Sequence, residues 1–561
     1  MTIDKGISHG WAAWHRAHRA GRRLAALGMA GAVAAGITAG AGPMALGAAK
    51  AAASPGHVAV GQSGGVRYQA TIVRTAYGVP HITAHSFGSL GYGYGFALAS
   101  DDLCMMAQIY VTVGGNRSRF FGPGATVQGP GGGEIPNLDS DIFWRSVIGR
   151  KLIPRLLAVR TGAGAIGPQV RRLMAGYVAG YNGYLASVGG AGGVPDPTCR
   201  GQAWVQPVTM LDAYLAVYQV SDLRGLSSEP DALAEAQPPA ATTAGRAYPA
   251  TASALSTLAS SVVRAAPGTG GLPTASQLRK LGGQGAGSFP GTGSNAIAVG
   301  SAGTRDHQHG MLLGNPHILW QGALRLYQVQ LTIPGTMNVE GATLIGIPVV
   351  VIGFTSSAAW SETTSRSWTA VPYQLTLVPG HPTEYVYNGR TVAMTAQPVT
   401  VPKQGGHGTI RHTVWFTRYG PVVNHYMVAG LPWTTKTAFA LADENSGLRI
   451  LSQFLDVDEA GSAAAVLASL KKFQGVPWNN TVVADATGHA LYADILPVPD
   501  VTNAEAANCD TAIGKVTFKQ DDLPVLDGSR PSCALGTGPG AAAPGIFGGG
   551  QEPTLMSRDF V

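Results

Sequence analysis

Charged residues are scarce in this chain. Only 12% of its 561 residues are charged, whereas 45% are hydrophobic, so the chain can bury a large core and is not disordered throughout. Its formal net charge of +7 is modest for this length, and the basic residues outside the N-terminus are scattered. This charge distribution argues against nucleic-acid binding. The 78 glycines and 36 prolines favour many turns and connected strands over a helical bundle.

Cysteine is rare as well. The four cysteines are Cys104, Cys199, Cys509 and Cys533, and they are too widely spaced for a metal-binding knuckle. Disulfides are the natural interpretation in an oxidising compartment, and four cysteines allow three connectivities. A Cys509–Cys533 pair is favoured because both residues lie in one polar, loop-rich region, and a Cys104–Cys199 pair then follows by elimination.

The N-terminus combines a basic segment with a short apolar one. Arg16, Arg19, Arg22 and Arg23 precede an apolar run over residues 24–41, and small residues follow up to residue 54. This pattern predicts a secretory signal over residues 1–53, removed on export by the general or the twin-arginine route. A membrane anchor is the alternative, but the run is rich in Gly and Ala and barely long enough to span a bilayer. The mature protein is therefore expected to be extracellular, without a membrane attachment.

Residues 54–237 carry clear periodic patterns. Alternating apolar and polar residues over 67–84 predict strands, and a segment rich in small residues over 91–106 predicts a helix. Apolar residues at helical spacing predict a helix over 170–186. Thr209 is a suitable cap for another helix that begins at Met210.

The composition changes twice in the second half of the chain. Residues 238–293 are mostly Ala, Gly, Pro, Ser and Thr, a composition that buries too little surface to fold and predicts an exposed spacer. From Ser294 the pattern predicts strand after strand through Phe354, with more strands near 373–377 and 413–423. One clear helix is predicted from Glu459 to Lys472, and no internal repeat is visible.

The junction between spacer and strands contains a hydroxyl residue of special interest. Ser294 begins the apolar run that ends at Gly300, directly after Gly293. If the Gly293–Ser294 bond is cut, Ser294 gains a free α-amine beside its own hydroxyl. Serine needs a base within hydrogen-bond reach, and an α-amine with a pKa of about 7.7 to 8.0 can supply one. One cut would thus create a nucleophile and its base.

Motifs downstream of Ser294 strengthen this hypothesis. In their order and spacing they closely resemble the β-chain start of the penicillin acylase family of N-terminal-nucleophile hydrolases. The Asn-Pro-His form looks most like its branch of acyl-homoserine lactone and aculeacin-type lipopeptide acylases, and residues 67–106 resemble the family's α-chain start. The motifs are Gly314-Asn315-Pro316-His317, Ile333-Pro334-Gly335, Gly346 to Phe354 and Trp360-Ser361.

The resemblance implies a fold, a maturation route and an activity. It implies an α+β protein with the four-layer αββα sandwich of that family. Cleavage between Gly293 and Ser294 would yield an α-chain (54–237) and a β-chain (294–561) that form a heterodimer, and the spacer (238–293) would be excised. The expected activity is hydrolysis of small N-acyl amides. No cofactor is implied, and no metal site is expected, since the acidic residues that bind calcium in some members are absent after Trp360-Ser361.

The resemblance also implies the oxyanion donors that acyl transfer requires. The side-chain donor falls on Asn480, five residues before Asp485, although Asn479 is adjacent and alternation along the strand turns only one of the two inward. The backbone donor falls on the Thr364 N–H. Glu362 departs from the family, which more often has histidine at that position.

Three further positions match the family. His317 matches a residue that helps to orient the terminal amine, and Ile318 and Ile347 match positions that line the acyl pocket. Family β-chains continue past the position of residue 561, so we expect the C-terminal part to be truncated here. The alternative function is a truncated, inactive family member or a non-catalytic secreted binding protein.

Overall fold

The computed structural model of the protein describes residues 57–129, 133–239, 293–320, 322–365, 367–427, 429–443, 447–476 and 478–535. The predicted secretory signal (1–53) lies outside these ranges, as do residues 240–292 of the predicted spacer. Helices and strands are both abundant within them, which confirms the predicted α+β class.

The helices precede and follow the strand-rich middle of the chain. They are α1 (Phe87–Val113), α2 (Arg117–Phe121), α3 (Asn137–Gly149), α4 (Leu152–Ala158), α5 (Pro168–Ser187), α6 (Met210–Ser221), α7 (Pro230–Ala234), α8 (Arg449–Asp458), α9 (Ala463–Phe473), α10 (Asn503–Cys509) and α11 (Ala512–Asp521).

The strands are numbered in chain order. They are β1 (His57–Ser63), β2 (Val66–Arg74), β3 (Pro80–Ala84), β4 (Thr126–Gln128), β5 (Glu134–Pro136), β6 (Gly293–Val299), β7 (Met311–His317), β8 (Leu326–Ile333), β9 (Met337–Leu344), β10 (Ile352–Phe354), β11 (Ala358–Thr364), β12 (Ala370–Val378), β13 (His381–Tyr387), β14 (Arg390–Ala393), β15 (Thr395–Pro402), β16 (Thr409–Phe416), β17 (Val422–Val423), β18 (His425–Tyr426), β19 (Ala429–Gly430), β20 (Thr437–Asp443), β21 (Asn479–Asp485), β22 (Ala490–Ala493) and β23 (Leu526–Asp527).

One large sheet joins the two sides of the proposed cleavage site. Its strand order is β1-β2-β3-β8-β9-β10-β11-β21-β22. The first three strands precede Ser294 in sequence and the other six follow it. The two groups meet where β3 pairs in parallel with β8, for example Ile82 with Leu331, and the other pairings are antiparallel. A cut at Ser294 would therefore leave each chain with part of one sheet.

The β structure also includes a second sheet and a hairpin. The second sheet has the order β14-β13-β12-β20-β17, with β23 beside β12. The hairpin of β6 and β7 is a separate two-stranded unit. Ala298 of this hairpin is fully buried against Val482, Ala484 and Ala490, so the hairpin packs on the β21–β22 end of the large sheet.

Helices α1 and α5 pack closely because both present glycines to their interface. A Cβ atom at Gly91 would collide with the Leu173 carbonyl oxygen, and one at Gly176 with the Gly88 carbonyl oxygen. By length and hydropathy α1 could span a membrane, but 67% of its most apolar window is buried inside the protein. It therefore has the surroundings of a core helix.

Most predicted helices are confirmed, with adjusted ends. The helix predicted for residues 91–106 is longer at both ends, and the helix predicted over 170–186 is α5. Helix α6 begins at Met210 with a complete capping box, in which Thr209 and Asp212 exchange hydrogen bonds. The helix predicted from Glu459 begins later, at Ala463, because the Ser462 side chain caps it. The prediction of one clear helix after Ser294 was wrong, since α8, α10 and α11 also form.

Both favoured disulfide pairings are confirmed. Cys104 is bonded to Cys199, and Cys509 is bonded to Cys533. Cys104 and Cys199 both precede the Gly293–Ser294 bond, and Cys509 and Cys533 both follow it.

Candidate active site

Ser294 lies near the start of β6, at the open end of the β6–β7 hairpin. The register pairs Ser294 with Pro316 and Gly293 with His317. The His317 backbone N–H donates to Ser294 Oγ at 3.4 Å. His317 is therefore beside Ser294, as the sequence predicts, while its proposed role in orienting the amine stays a prediction.

The packing of β6 directs Ser294 toward the large sheet. Ala296 and Ala298 share the face of β6 that packs on β21 and β22, and their neighbours Asn295 and Ile297 are exposed. Because side chains alternate along a strand, Ser294 lies on the same inward face as the two alanines. Ser294 is half-buried, and β6 lies next to β11 and β21.

Ser294 lines a small cavity together with two other predicted residues, Ile318 and Thr364. Its volume is about 40 Å³. Most of the remaining lining is apolar, which suits a hydrocarbon group. Those other lining residues are Val220, Pro316, Leu326, Leu344, Val351, Ile352, Glu362, Ile450, Phe454, Trp478 and Asn479.

The two adjacent asparagines occupy different positions. Asn479 lines the cavity. Asn480 Nδ2 donates to Thr363 Oγ1 at 3.1 Å and to the Thr364 carbonyl oxygen at 3.2 Å, and its Oδ1 accepts from the Tyr492 hydroxyl at 2.9 Å. The amide predicted to be an oxyanion donor is therefore held next to Thr364, the residue predicted to supply the second donor.

Ile347 lies in the core and not among the described residues that line this cavity. Its side chain is fully buried. It follows Gly346, whose φ is +93°, in the turn after β9, so strand alternation does not govern its direction. Leu344 and Val351, on either side of it in sequence, reach the cavity instead.

Among the described residues that line the cavity, Glu362 alone has an acidic or basic side chain. The sequence analysis assigned it no role. It is 5% exposed, and the Thr481 hydroxyl lies 3.1 Å from each of its carboxyl oxygens. Burial raises the pKa of this carboxyl well above its usual range, and the Thr481 hydrogen bond opposes that shift. Burial therefore favours the neutral form of this carboxyl.

Several lining residues come from helices α6 and α8. Val220 lies in the last turn of α6, and Trp478 Nε1 donates to its carbonyl oxygen at 2.9 Å. Ile450 and Phe454 belong to α8, where apolar residues recur at helical spacing. That periodicity was a usable signal for the helix, but not for its distance from Ser294.

A larger cavity lies elsewhere in the molecule. Its volume is about 450 Å³, and its walls include Phe143, Leu156, Phe416 and Leu441. None of the predicted site residues lines it. The chemistry proposed for Ser294 therefore belongs to the smaller cavity.

Comparison with known proteins gave consistent matches. The family model described as penicillin amidase matches residues 69–561. Aculeacin-A acylase of Actinoplanes utahensis is 39% identical over 497 residues, covering 88% of this chain and 58% of the relative. Acyl-homoserine lactone acylase PvdQ of Pseudomonas syringae pv. tomato is 37% identical over 501 residues, with the same coverage. The chain thus spans 58% of the length of these curated relatives.

A solved structure gave a weaker match. Thermostable penicillin G acylase from Alcaligenes faecalis is 18% identical, with a TM-score of 0.34 over 43% of this chain and 39% of that chain. A likeness of this size supports no argument about the fold.

Proposed function

Because the chain belongs to the penicillin amidase family, we propose that it is a secreted, self-processing acylase that hydrolyses the amide bond of N-acyl compounds. The observation that carries this proposal is the position of Ser294, which lines an apolar cavity and directly follows the proposed cleavage site. We further propose the four-layer αββα arrangement and an αβ heterodimer as its mature form.

The substrate class follows from the relatives and from the cavity. The relatives are named as acylases of aculeacin A and of acyl-homoserine lactones. We therefore propose acyl-homoserine lactones, lipopeptides or penicillins as substrates. The apolar lining favours an aliphatic acyl group over a polar one.

Maturation would use the same hydroxyl as catalysis. Ser294 Oγ attacks the Gly293 carbonyl carbon, the bond from that carbon to the Ser294 nitrogen breaks, and the nitrogen takes the hydroxyl proton. Water then hydrolyses the resulting ester. The products are a carboxylate at Gly293 and a free α-amine on Ser294.

Catalysis would then repeat this chemistry on the substrate. Ser294 Oγ attacks the amide carbonyl, and its proton passes to the α-amine, directly or through one water. Asn480 and the Thr364 N–H stabilise the oxyanion, and the His317 segment beside Ser294 orients the amine. The amine product leaves with a proton, and water hydrolyses the acyl-enzyme.

The decisive experiment compares Ser294→Ala with the wild type by intact mass, N-terminal sequencing and amide hydrolysis. We expect the wild type to yield a chain that begins Ser-Asn-Ala-Ile-Ala-Val, and Ser294→Ala to remain a single inactive chain. Ser356→Ala removes an exposed serine that does not line the cavity and should behave as the wild type. Two chains from Ser294→Ala would exclude self-cleavage by Ser294. An uncut, inactive wild type would favour a non-catalytic relative.

A further inference from the structure

The larger cavity has no part in the chemistry proposed for Ser294. Its volume of about 450 Å³ lies within the range of small-molecule sites. Within the described ranges, no residue lines both this cavity and the one beside Ser294. Much of its wall is apolar and includes four buried leucines, Leu226, Leu233, Leu441 and Leu448. It is therefore a second apolar space, separate from the candidate active site.

Two arginines lie where this cavity opens to solvent. Arg150 and Arg155 both line the cavity and are both exposed, whereas the leucines are buried, so the two guanidinium groups lie at its mouth. The guanidinium carbon of Arg150 lies 3.8 Å from the centre of the Phe416 ring, and Phe416 also lines the cavity. This contact holds the Arg150 guanidinium against the cavity wall.

Neither of these arginines has an acidic partner in the part of the chain that the structure describes. Their charges oppose each other, since burial and then the positive charge of Arg155 lower the pKa of Arg150. Asp443 and Arg449 line the same cavity, but they have opposite charges and leave the charge of the other two arginines uncompensated. An anion at the mouth would relieve the repulsion and accept hydrogen bonds from guanidinium groups.

We propose that the larger cavity binds an alkyl carboxylate, with its carboxylate at Arg150 and Arg155 and its hydrocarbon tail against the buried leucines. A neutral alkyl compound would leave both guanidinium groups without a partner, and a short carboxylate would leave the apolar wall unfilled. Among anionic amphiphiles, the alkyl carboxylate is the one that the proposed acylase would itself release. The choice of head group therefore rests on the proposed function, whereas the site does not depend on Ser294.

The test is isothermal titration calorimetry with decanoate and the full-length Ser294→Ala chain, which stays uncut. We expect Arg150→Gln or Arg155→Gln in this background to lower the affinity by roughly tenfold, because a charge-assisted hydrogen bond is lost. Both arginines are exposed, so their replacement should not prevent folding. Arg160→Gln is the matched control, since Arg160 is an exposed arginine that does not line the cavity, and it should keep the affinity.

Three further compounds test the two ends of the ligand. Decanoate should bind roughly tenfold more tightly than octanoate, because two more CH₂ groups are buried. Decan-1-ol should bind roughly tenfold more weakly than decanoate, and Arg150→Gln should not change its affinity. Decyl phosphate has the same tail and a different anionic head group, and we expect it to bind no more tightly than decanoate.

The contrary results separate the site from the function. No binding of decanoate, or equal affinities for Arg150→Gln and Arg160→Gln, would overturn the site. Equal binding of octanoate and decanoate would overturn the position of the tail. Tighter binding of decyl phosphate would overturn the choice of a carboxylate. If decanoate binds as expected but the wild type hydrolyses no amide, the acylase function fails and the site stands.

Discussion

At the scale of single residues, the two asparagines at the start of β21 show how much depends on strand alternation. Both have the side chain that an oxyanion donor requires, and they are adjacent in sequence. Asn480 is held by Tyr492 and by the Thr364 carbonyl, whereas Asn479 faces the cavity. In the uncut chain the Asn480 amide is thus oriented next to Thr364, with both of its N–H groups engaged.

We expect Asn480→Ala to lower kcat by roughly 10²-fold with a smaller effect on KM, because it removes an oxyanion donor that acts in the transition state. The measurement is steady-state hydrolysis of an N-acyl amide by the cleaved protein. Asn479→Ala is the matched comparison, since it shortens the neighbouring side chain. A larger loss of kcat in Asn479→Ala than in Asn480→Ala would assign the donor to Asn479.

Asp139 leads to a prediction about pH. Burial, and then the negative charges of Glu235 and Asp231, raise its pKa from 3.8 to about 7. The folded state therefore holds the Asp139 proton more tightly than the unfolded state does. The free energy of unfolding should fall as the pH rises from about 4 to about 7, and Asp139 should cause no further loss above that range.

Asp139→Asn removes this titration. We expect it to raise the melting temperature at about pH 8 and to change it little at about pH 4, where Asp139 is protonated in the folded protein. Thermal unfolding of variant and wild type at both pH values measures the effect. Asp456→Asn, at an exposed carboxylate paired with Lys472, is the control and should show no such gain at pH 8. An equal shift at both pH values would contradict the assignment.

At the scale of elements, the contact between α1 and α5 depends on glycine. The two backbones approach so closely that a methyl group at Gly176 would overlap the Gly88 carbonyl oxygen and would also come within 2.8 Å of the Tyr92 nitrogen. Both obstacles are backbone atoms of a buried helix, so they cannot move aside as a flexible side chain would. The helices would have to separate.

We therefore expect Gly176→Ala to destabilise the protein. Alanine gains about 1 kcal/mol of helix propensity over glycine, but overpacking of this kind costs about 1 to 3 kcal/mol or more. The free energy of unfolding should therefore fall. Denaturant unfolding measures it. Gly192→Ala places a methyl group where no atom lies within 4 Å and is the matched control. Equal stability of the two variants would contradict the close approach of the helices.

How far the sequence could predict the fold depends on how local each signal is. Helix α6 was predictable because its cap and its apolar spacing lie in adjacent residues, from Thr209 onward. Helix α8 carried the same kind of periodicity and could have been found. The β3–β8 pairing joins residues about 250 positions apart, and nothing in either segment specifies its partner.

The difference between local and long-range signals also applies to the candidate site. Ser294, Ile318 and Thr364 were predicted from motifs, and the structure brings them to one cavity. Ile347 was predicted by resemblance to line the acyl pocket. It lies buried in the core after the turn that follows β9, and its role stays a prediction. The position of Glu362 in the cavity wall depends on the pairing of β11 with β21, which places Thr481 opposite it. Such cross-strand neighbours cannot be read from the residues of one strand.

At the scale of the whole molecule, the segments on either side of Ser294 are joined by many contacts. The large sheet contains strands from both segments, and these strands meet where β3 pairs in parallel with β8. The Tyr327 hydroxyl donates to Asp101 at 2.6 Å, Arg325 pairs with Asp102 at 2.9 Å, and Arg224 donates to the Ser365 carbonyl oxygen at 2.7 Å. Around these polar contacts lies a hydrophobic core to which both segments contribute. No disulfide between described cysteines crosses the proposed cleavage site.

This arrangement predicts how the cleaved protein behaves on separation. We expect two bands on a denaturing gel without reductant, because each disulfide stays within one chain. We expect a single peak containing both chains on size-exclusion chromatography, even in about 1 M salt, since salt screens ion pairs but does not weaken hydrophobic burial or the hydrogen bonds of the shared sheet. Uncleaved Ser294→Ala protein provides the elution position of the intact molecule. Separation of the chains in salt alone would mean that ion pairs, and not the shared sheet and core, hold the heterodimer together.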